Sequence, residues 1–239
     1  MSDIAHPTSV RRTVSFSEAV RLGQTEVEGI LAVRAGDPDD ALRLAGSGHI
    51  AVLTDPDGAS VKQIKPDVLV DCIMAKKNLG TSIDDAPVVI GVGPGFTAPA
   101  DCHAVIETKR GHTLGRAIYK GSPIPNTGIP GNIEGFTEER LLRSPKDGSF
   151  HSEHSIGDLV KAGDIAADVD GAPIYCRIDG MLRGLLPNGT RVYKGMKSGD
   201  IDPRGAKADC RPVSDKALSV GGGVLEAILH FSGTVDALS

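Results

Sequence analysis

The sequence predicts an α/β layer protein with a mostly parallel sheet and, in its last third, a small all-β domain. Three observations carry that expectation. Short β-branched runs at 50–53, 68–70, 88–92 and 104–108 are nearly continuous, as in strands covered on both faces, and they alternate with segments able to form helices. Gly157-Asp158-Leu159-Val160-Lys161-Ala162-Gly163 recurs 32 residues on as Gly189-Thr190-Arg191-Val192-Tyr193-Lys194-Gly195. Apolar residues make up 40% of the 239 but aromatics only 3%, with no Trp, so the core is built from Val, Ile, Leu and Ala.

Taken in order, 15–22 reads as a short helix closed by Gly23, and 25–33 alternates like one half-buried strand. Asp37-Pro38-Asp39-Asp40 is a helix start, with carboxylates at the positive end of the dipole and Pro in the first turn. That helix runs to Gly46-Ser47-Gly48. Short helices are expected at 60–65 and 75–79, between the apolar strands. From 114 to 133 Gly, Pro, Asn and Thr dominate, which rules out helix and leaves a turn-rich loop, a flap or a linker. Thr137 is the expected N-cap of a charged helix over 137–143. In the repeat, glycines supply the positive φ that the turns need, and each central Val points into a shared core. Gly221-Gly222-Gly223 reads as a turn leading into an apolar helix that returns to the first domain.

Composition excludes several classes. The formal charge of −5 leaves no basic stripe for a nucleic-acid partner. The short basic runs at 11–12, 76–77 and 109–110 read first as solvated faces. No apolar stretch approaches the roughly 20 residues that span a bilayer, and no apolar segment opens the chain as a signal peptide would. Cys72, Cys102, Cys176 and Cys210 lack metal-ligand spacing, so no metal site is expected. A soluble cytoplasmic protein is the resulting expectation.

The chemistry-bearing residues gather at strand ends. Gly91, Gly93 and Gly95 form a G-x-G-x-G turn after a buried strand, where backbone N–H groups can face an anion. Its spacing is not the dinucleotide fingerprint, and Pro94 removes one donor. Lys109 and Arg110 leave the next strand on the same expected edge and can hold a phosphate. His112 can transfer a proton, and Asp71 can accept ribose hydroxyls; these two are the candidate catalytic residues. Asn126 and Thr127 offer polar groups on the loop 120–131. Cys102 and His103 adjoin but alternate faces of a strand, so they read as structural. Asp84-Asp85 reads as a solvated turn, and Asp200 to Arg204 as polar glue at the edge of the β domain.

The repeat resembles the barrel-sandwich domains that carry biotin or lipoyl groups. The hairpin tip that bears the modified lysine in those carriers reads Asp168-Val169-Asp170-Gly171-Ala172-Pro173 here, without lysine, so the resemblance implies an unmodified module. Over nearly the whole chain, the segments 11–20, 91–98, 105–112, 124–128 and 199–204 together resemble the YqeB family, accessory proteins of the selenium-dependent molybdenum hydroxylase system. The resemblance implies an α/β, Rossmann-like domain at 1–146, a barrel-sandwich domain at 147–204 and a C-terminal segment at 205–239 packing on the first. It implies a bacterial maturation factor whose ligand is the molybdenum cofactor or a nucleotide and whose partner is a hydroxylase apo-enzyme or its maturation proteins. A stand-alone nucleotide-dependent transferase and a non-catalytic scaffold are the alternatives. Relatives open with a strand, a Gly-Gly-Gly-Asp turn leading into a helix, and a second strand ending in an acidic residue and a Pro-containing turn. Asp3 to Pro7 match only that last turn, so the Rossmann-like domain is expected to be N-terminally truncated and a weak nucleotide site.

Overall fold

A computed structural model describes residues 1–128 and 130–233. It is a mixed α/β protein of several four-stranded sheets. The chain divides into two compact units, Met1–Gly58 with Ile129–Pro212 and Ala59–Gly128 with Val213–Ser239. This division interleaves what the sequence reads as consecutive domains at 1–146, 147–204 and 205–239. Periodicity identifies strands but says nothing of which sheet each one joins.

The first unit opens with a small sheet. Strands β1 (Ser2–Asp3), β2 (Gln24–Val27), β3 (Ile30–Arg34) and β4 (Ile50–Thr54) lie in the order β1-β4-β3-β2, parallel at β1/β4 and β3/β4. Helices α1 (Glu18–Leu22) and α2 (Pro38–Gly46) accompany it. The start at Asp37 holds: its side chain accepts from Asp40 N at 2.8 Å, with Pro38 in the first turn. The single strand expected over 25–33 is instead a hairpin. Glu28 and Gly29 both take positive φ, +49° and +81°, which is a two-residue turn that alternation alone does not reveal.

The second unit holds helix α3 (Ser60–Ile64) and strands β5 (Val68–Asp71), β6 (Val88–Val92), β7 (Ala104–Ile106) and β8 (Ala117–Ile118), ordered β5-β6-β7-β8. The first three are mutually parallel, and β8 runs antiparallel to β7. Both faces of the central strands β6 and β7 are buried, as their unbroken apolar runs require, while the edge strand β5 leaves Val70 exposed. Val89 and Val105 pack with Phe96, Ala98 and Cys102 on one side. Ile90, Val92, Ala104 and Ile106 meet helix α4 (Asp215–Phe231) through Ala227 and Val224 on the other. Residues 221–223 are not a turn but the middle of α4. Gly223 lies so close to the Gly115 carbonyl that a Cβ has no room, while Gly221 and Gly222 meet nothing within 4 Å. Residues 75–79 form a loop rather than a helix, with Met74 and Lys76 at positive φ.

The remaining strands belong to the first unit: β9 (Leu141–Arg143), β10 (Gly148–His151), β11 (Leu159–Val160), β12 (Ile165–Val169), β13 (Ala172–Tyr175), β14 (Gly180–Leu185), β15 (Arg191–Val192) and β16 (Lys197–Asp202). They make two antiparallel sheets, β13-β12-β10-β15 and β11-β14-β16-β9, around one core of Phe150, Val160, Val169, Leu182, Val192 and Ile201. The helix expected over 137–143 is a single 3₁₀ turn at Glu138–Arg140 followed by β9, and Thr137 makes no side-chain cap.

The half-repeat is a structural repeat. Gly157 N donates to Leu182 O, and Gly189 N, 32 residues later, donates to Phe150 O, 32 residues before Leu182. Gly163 N to Cys176 O and Gly195 N to Ser144 O form the second such pair. The same shift carries β9, β10, β11 and β12 onto β13, β14, β15 and β16, so each sheet maps onto the other. Val160 and Val192 both enter the core, and Gly157, Gly163, Gly189 and Gly195 all take positive φ, as the repeat predicts. The tip at Asp170-Gly171 is a two-residue turn with both φ positive. Among the described residues no helix is long and apolar enough to cross a membrane.

Candidate anion site at the strand ends of the second unit

Parallel strands deliver their C-terminal loops to one edge. In the second unit that edge collects Asp71, the turn 91–96 and the segment 107–111, because Asp71 pairs with Gly91 and Val92 with Ile106. Gly93 N donates to Ile106 O at 2.9 Å, so the glycine turn and the basic turn lie side by side.

The glycines make room rather than present donors. A Cβ at Gly91 would sit 2.5 Å from the Phe96 ring, at Gly93 3.0 Å from Thr108 Oγ1, and at Gly95 2.7 Å from the Lys77 backbone. Since the Gly93 N–H is spent on the sheet and Pro94 has none, the cradle expected from the turn's backbone amides is not formed at these two positions. The close approach of Gly95 instead brings in the 72–82 loop with Lys76 and Lys77. Positive φ at Met74 and Lys76, costly for residues with a side chain, holds that loop in its path.

Charge at this edge comes from three elements. Lys216, in the first turn of α4, has its pKa lowered, first by burial and then by Lys76 and Arg110, against an opposing pull from Glu107. Three cations held near enough to repel one another favour an anion among them. Arg110 is also anchored: Nη1 and Nη2 donate to the two carboxylate oxygens of Asp215 at 2.5 and 2.7 Å. Glu107, 2% exposed, accepts from Lys109 N at 2.7 Å and Ile124 N at 2.8 Å, so it ties the start of the loop 120–131 to the strand end. Beside it, Glu107, Arg116, Tyr119, Lys120, Ser122 and Ile124 help to line a depression of about 420 Å³.

Asp71 reaches the edge but braces its own loop: Oδ1 accepts from Ile73 N at 3.0 Å and Oδ2 from Thr81 Oγ1 at 2.6 Å. His112 lies exposed in the turn after β7. Lys109 is exposed beside Arg110. Asn126 is exposed with its Oδ1 accepting from Gly128 N at 3.2 Å, and Thr127 is exposed next to it. The structure therefore brings Gly91, Gly93, Gly95, Lys109, Arg110 and Asp71 to one edge. Cys102 and His103 are structural: burial pushes the thiol to about 11, and His103 Nδ1 accepts from Val89 N at 2.9 Å.

Sequence reasoning missed Lys216 and read Lys76-Lys77 as solvated. Lys216 follows Ser214, whose hydroxyl accepts from Ala217 N at 3.2 Å, so an N-cap signal at 214 would have placed a lysine in a helix's first turn. Among the described residues no group of three His, Cys, Asp or Glu could hold a metal. Groups of this kind, cationic side chains around a strand-end edge, have the chemistry to bind and orient an anion.

No protein-family model matches the chain. It is 50% identical over 229 residues to a curated Escherichia coli (strain K12) protein named Uncharacterized protein YqeB, an alignment that takes in 96% of this chain and 42% of the relative. The chain thus spans less than half the length of that relative. Among solved structures, an aspartoacylase family protein from Mesorhizobium loti matches 32% of this chain and 24% of its own, at 18% identity and a TM-score of 0.25. The ectoine utilization protein EutE (DoeB) from Ruegeria pomeroyi matches 30% of this chain and 23% of its own, at 17% identity and the same TM-score. Likeness at that level carries no argument about fold or activity.

Proposed function

We propose, from the YqeB family membership that the 50% identical relative supports, that this chain serves as an accessory factor in maturing selenium-dependent molybdenum hydroxylases. In this reading the second unit holds a phosphate-bearing molecule, a molybdenum cofactor or a nucleotide, at the strand-end edge. The observation that carries it is the close approach of Gly95 to the Lys77 backbone, which brings the 72–82 loop to the turn 91–96, at an edge where Lys216 feels the charges of Lys76 and Arg110. Burial of Lys216 strengthens its attraction for an anion, since less water screens the charge.

Each residue has a stated part. Lys76 and Lys216 contact phosphate oxygens, and Arg110, fixed by Asp215, keeps its charge aimed at the same place. Gly93 and Gly95 let Thr108 and the Lys77 backbone pack against the turn, which holds the 72–82 loop with Lys76 at the edge. Glu107 positions the loop start at Ile124, which borders the ligand. The two-sheet body of the first unit is read as a barrel-sandwich relative without an attached group, since Asp170-Gly171 occupies the tip. It serves as a docking body for a protein partner.

The reaction itself is assigned to the partner. Asp71 has both carboxylate oxygens engaged within its loop, so the edge offers recognition rather than proton transfer. Deleting the gene tests the role. Hydroxylase activity is expected to be lost while apo-enzyme accumulates, with restoration by the wild-type gene and at most weak restoration by Lys216→Gln. Normal hydroxylase activity in the deletion strain would end this reading.

A further inference from the structure

A second cationic cluster lies in the first unit, on the outer face of β14, β16 and β9, and the strand-end site makes no use of it. Ile201 enters the shared core, so Asp200 and Asp202 on either side of it face away. Arg140, its side chain only 8% exposed, donates from Nη1 to Asp200 Oδ1 at 2.6 Å. Arg183 Nη1 lies 3.4 Å from Asp202 Oδ2. Arg204 donates to both Asp202 oxygens, from Nε at 2.9 Å and from Nη2 at 2.6 Å. Arg11 and Lys197 complete the layer. Burial lowers the pKa of both; Arg183 lowers Arg11 further, and Lys197 feels an upward pull from Asp200 against Arg140 and Arg11.

Arg11, Arg140, Arg183, Lys197 and Arg204 thus crowd two carboxylates. Guanidinium nitrogens are left over. Nε of Arg11, Arg140 and Arg183 and Nη2 of Arg11 are buried without a hydrogen-bond partner among the described residues. A buried donor left without an acceptor is costly, the more so when it is charged, so four in one layer call for an acceptor. The repeat supplies an internal control. Thirty-two residues earlier, Asp168 and Asp170 occupy the places of Asp200 and Asp202, with His151 in the place of Arg183. There His151 Nδ1 meets Asp168 at 3.3 Å, both side chains reach solvent, and no buried unpaired group occurs among the described residues. The cation excess therefore belongs to one half and is not a requirement of the fold.

We propose that this layer is a second anion site, which takes a tetrahedral oxyanion, a phosphate or sulfate group, on the unpaired N–H groups of Arg11, Arg140 and Arg183. Guanidinium forks match such oxygens in pairs. Lys197 adds charge, and Asp200 and Asp202 hold the arginines in place. Arg11 and Lys197 are half-buried and Arg204 is exposed, so the group enters from their side. The strand carrying Arg183 is strapped by the chain at Arg11, since Val10 O accepts from Leu185 N at 2.9 Å and Arg12 Nε donates to Leu185 O at 2.8 Å. This inference is independent of the strand-end site.

The test uses the full chain with ¹⁵N-labelled arginine, titrated with sodium phosphate and with sodium sulfate at ionic strength held constant by chloride. Saturable shifts of three arginine Nε–H resonances are expected, with a rise of a few degrees in the melting temperature. Arg11→Gln should weaken binding at least tenfold, and Lys216→Gln should leave it unchanged. Should Arg11→Gln fail to fold by circular dichroism, Lys197→Gln takes its place with the same expectation. Displacement of phosphate by ADP assigns the site to a phosphate on a larger molecule, and failure to displace it assigns the free ion. Nε–H resonances unmoved by both oxyanions, or equal affinity in the folded variants, would overturn the proposal.

Discussion

The two halves of the β repeat share one backbone plan and carry opposite electrostatics. In the first half, Asp168 and Asp170 stand near solvent, Asp168 beside the His151 imidazole and Asp170 with Lys146 Nζ donating to its carbonyl oxygen. In the second, Asp200 and Asp202 lie buried among five cationic side chains. The glycine turns, the core valines and the cross-strand hydrogen bonds are common to both, so these set the fold. What differs is set by residues at equivalent places in the repeat, Arg183 against His151 and Lys197 against Ile165, together with Arg11 from the N-terminal segment. Duplicated geometry thus supplies two equivalent faces, and only one has been made into a charged layer.

Removing a carboxylate from each half should separate them most. Asp202→Ala leaves Arg183 and Arg204 facing each other without a counter-charge and should cost about 3–5 kcal/mol. Asp168→Ala, at the solvent-facing counterpart of Asp200, should cost about 1 kcal/mol or less. Urea midpoints at neutral pH measure both. Equal losses would mean that burial of the second half contributes nothing.

Acid should separate them next. Burial pushes the Asp202 carboxyl up, but the hydrogen bonds from Arg204 and the charges of Arg204 and Arg183 outweigh it and leave the pKa below the usual carboxylate value. A depressed folded-state pKa gives stability that is present above the unfolded value, about 3.9, and lost as pH falls through the folded one. Stability measured from pH 5 downward should therefore fall less steeply in Asp202→Asn than in the wild type. A parallel fall would remove Asp202 from the acid limb.

Gly148 and Gly180 are equivalent in the repeat, and at each a Cβ would run into the strand that carries the acidic pair: Asp170 and Val169 for one, Asp202 and Ile201 for the other. Gly148→Ala and Gly180→Ala should each lose about 1–3 kcal/mol, which sharpens the claim that the backbone plan is shared. The smallest effect belongs to His151→Ala. With the imidazole more than half exposed, the change should stay within about 0.5 kcal/mol in thermal melts at pH 7.

The repeat was legible because Gly-x-x-Val-x-x-Gly states turn and core positions directly, and Val160 and Val192 occupy them. The strand-end edge was legible in part. The runs at 68–70, 88–92 and 104–108 placed Gly91, Lys109 and Arg110 together, while Lys216 enters from a helix more than 100 residues later, a pairing that no local pattern encodes. The hairpin at Glu28-Gly29 hid within a run of unbroken alternation, because a two-residue turn preserves period 2. Gly221 to Gly223 looked like a turn because glycine disfavours helices by about 1 kcal/mol each. Close packing of Gly223 on Gly115 accounts for that one, and nothing in the structure explains the other two. The charged layer was read as polar glue, since a sequence shows which residues are charged but not which of them lose water.

The account stands most directly on calorimetric titration of the full chain with inorganic pyrophosphate and with ADP, in parallel with Lys216→Gln and Arg11→Gln. It predicts two saturable components, one weakened at least tenfold in Lys216→Gln and the other in Arg11→Gln. Binding unchanged by Lys216→Gln, or no binding of either compound, would contradict it.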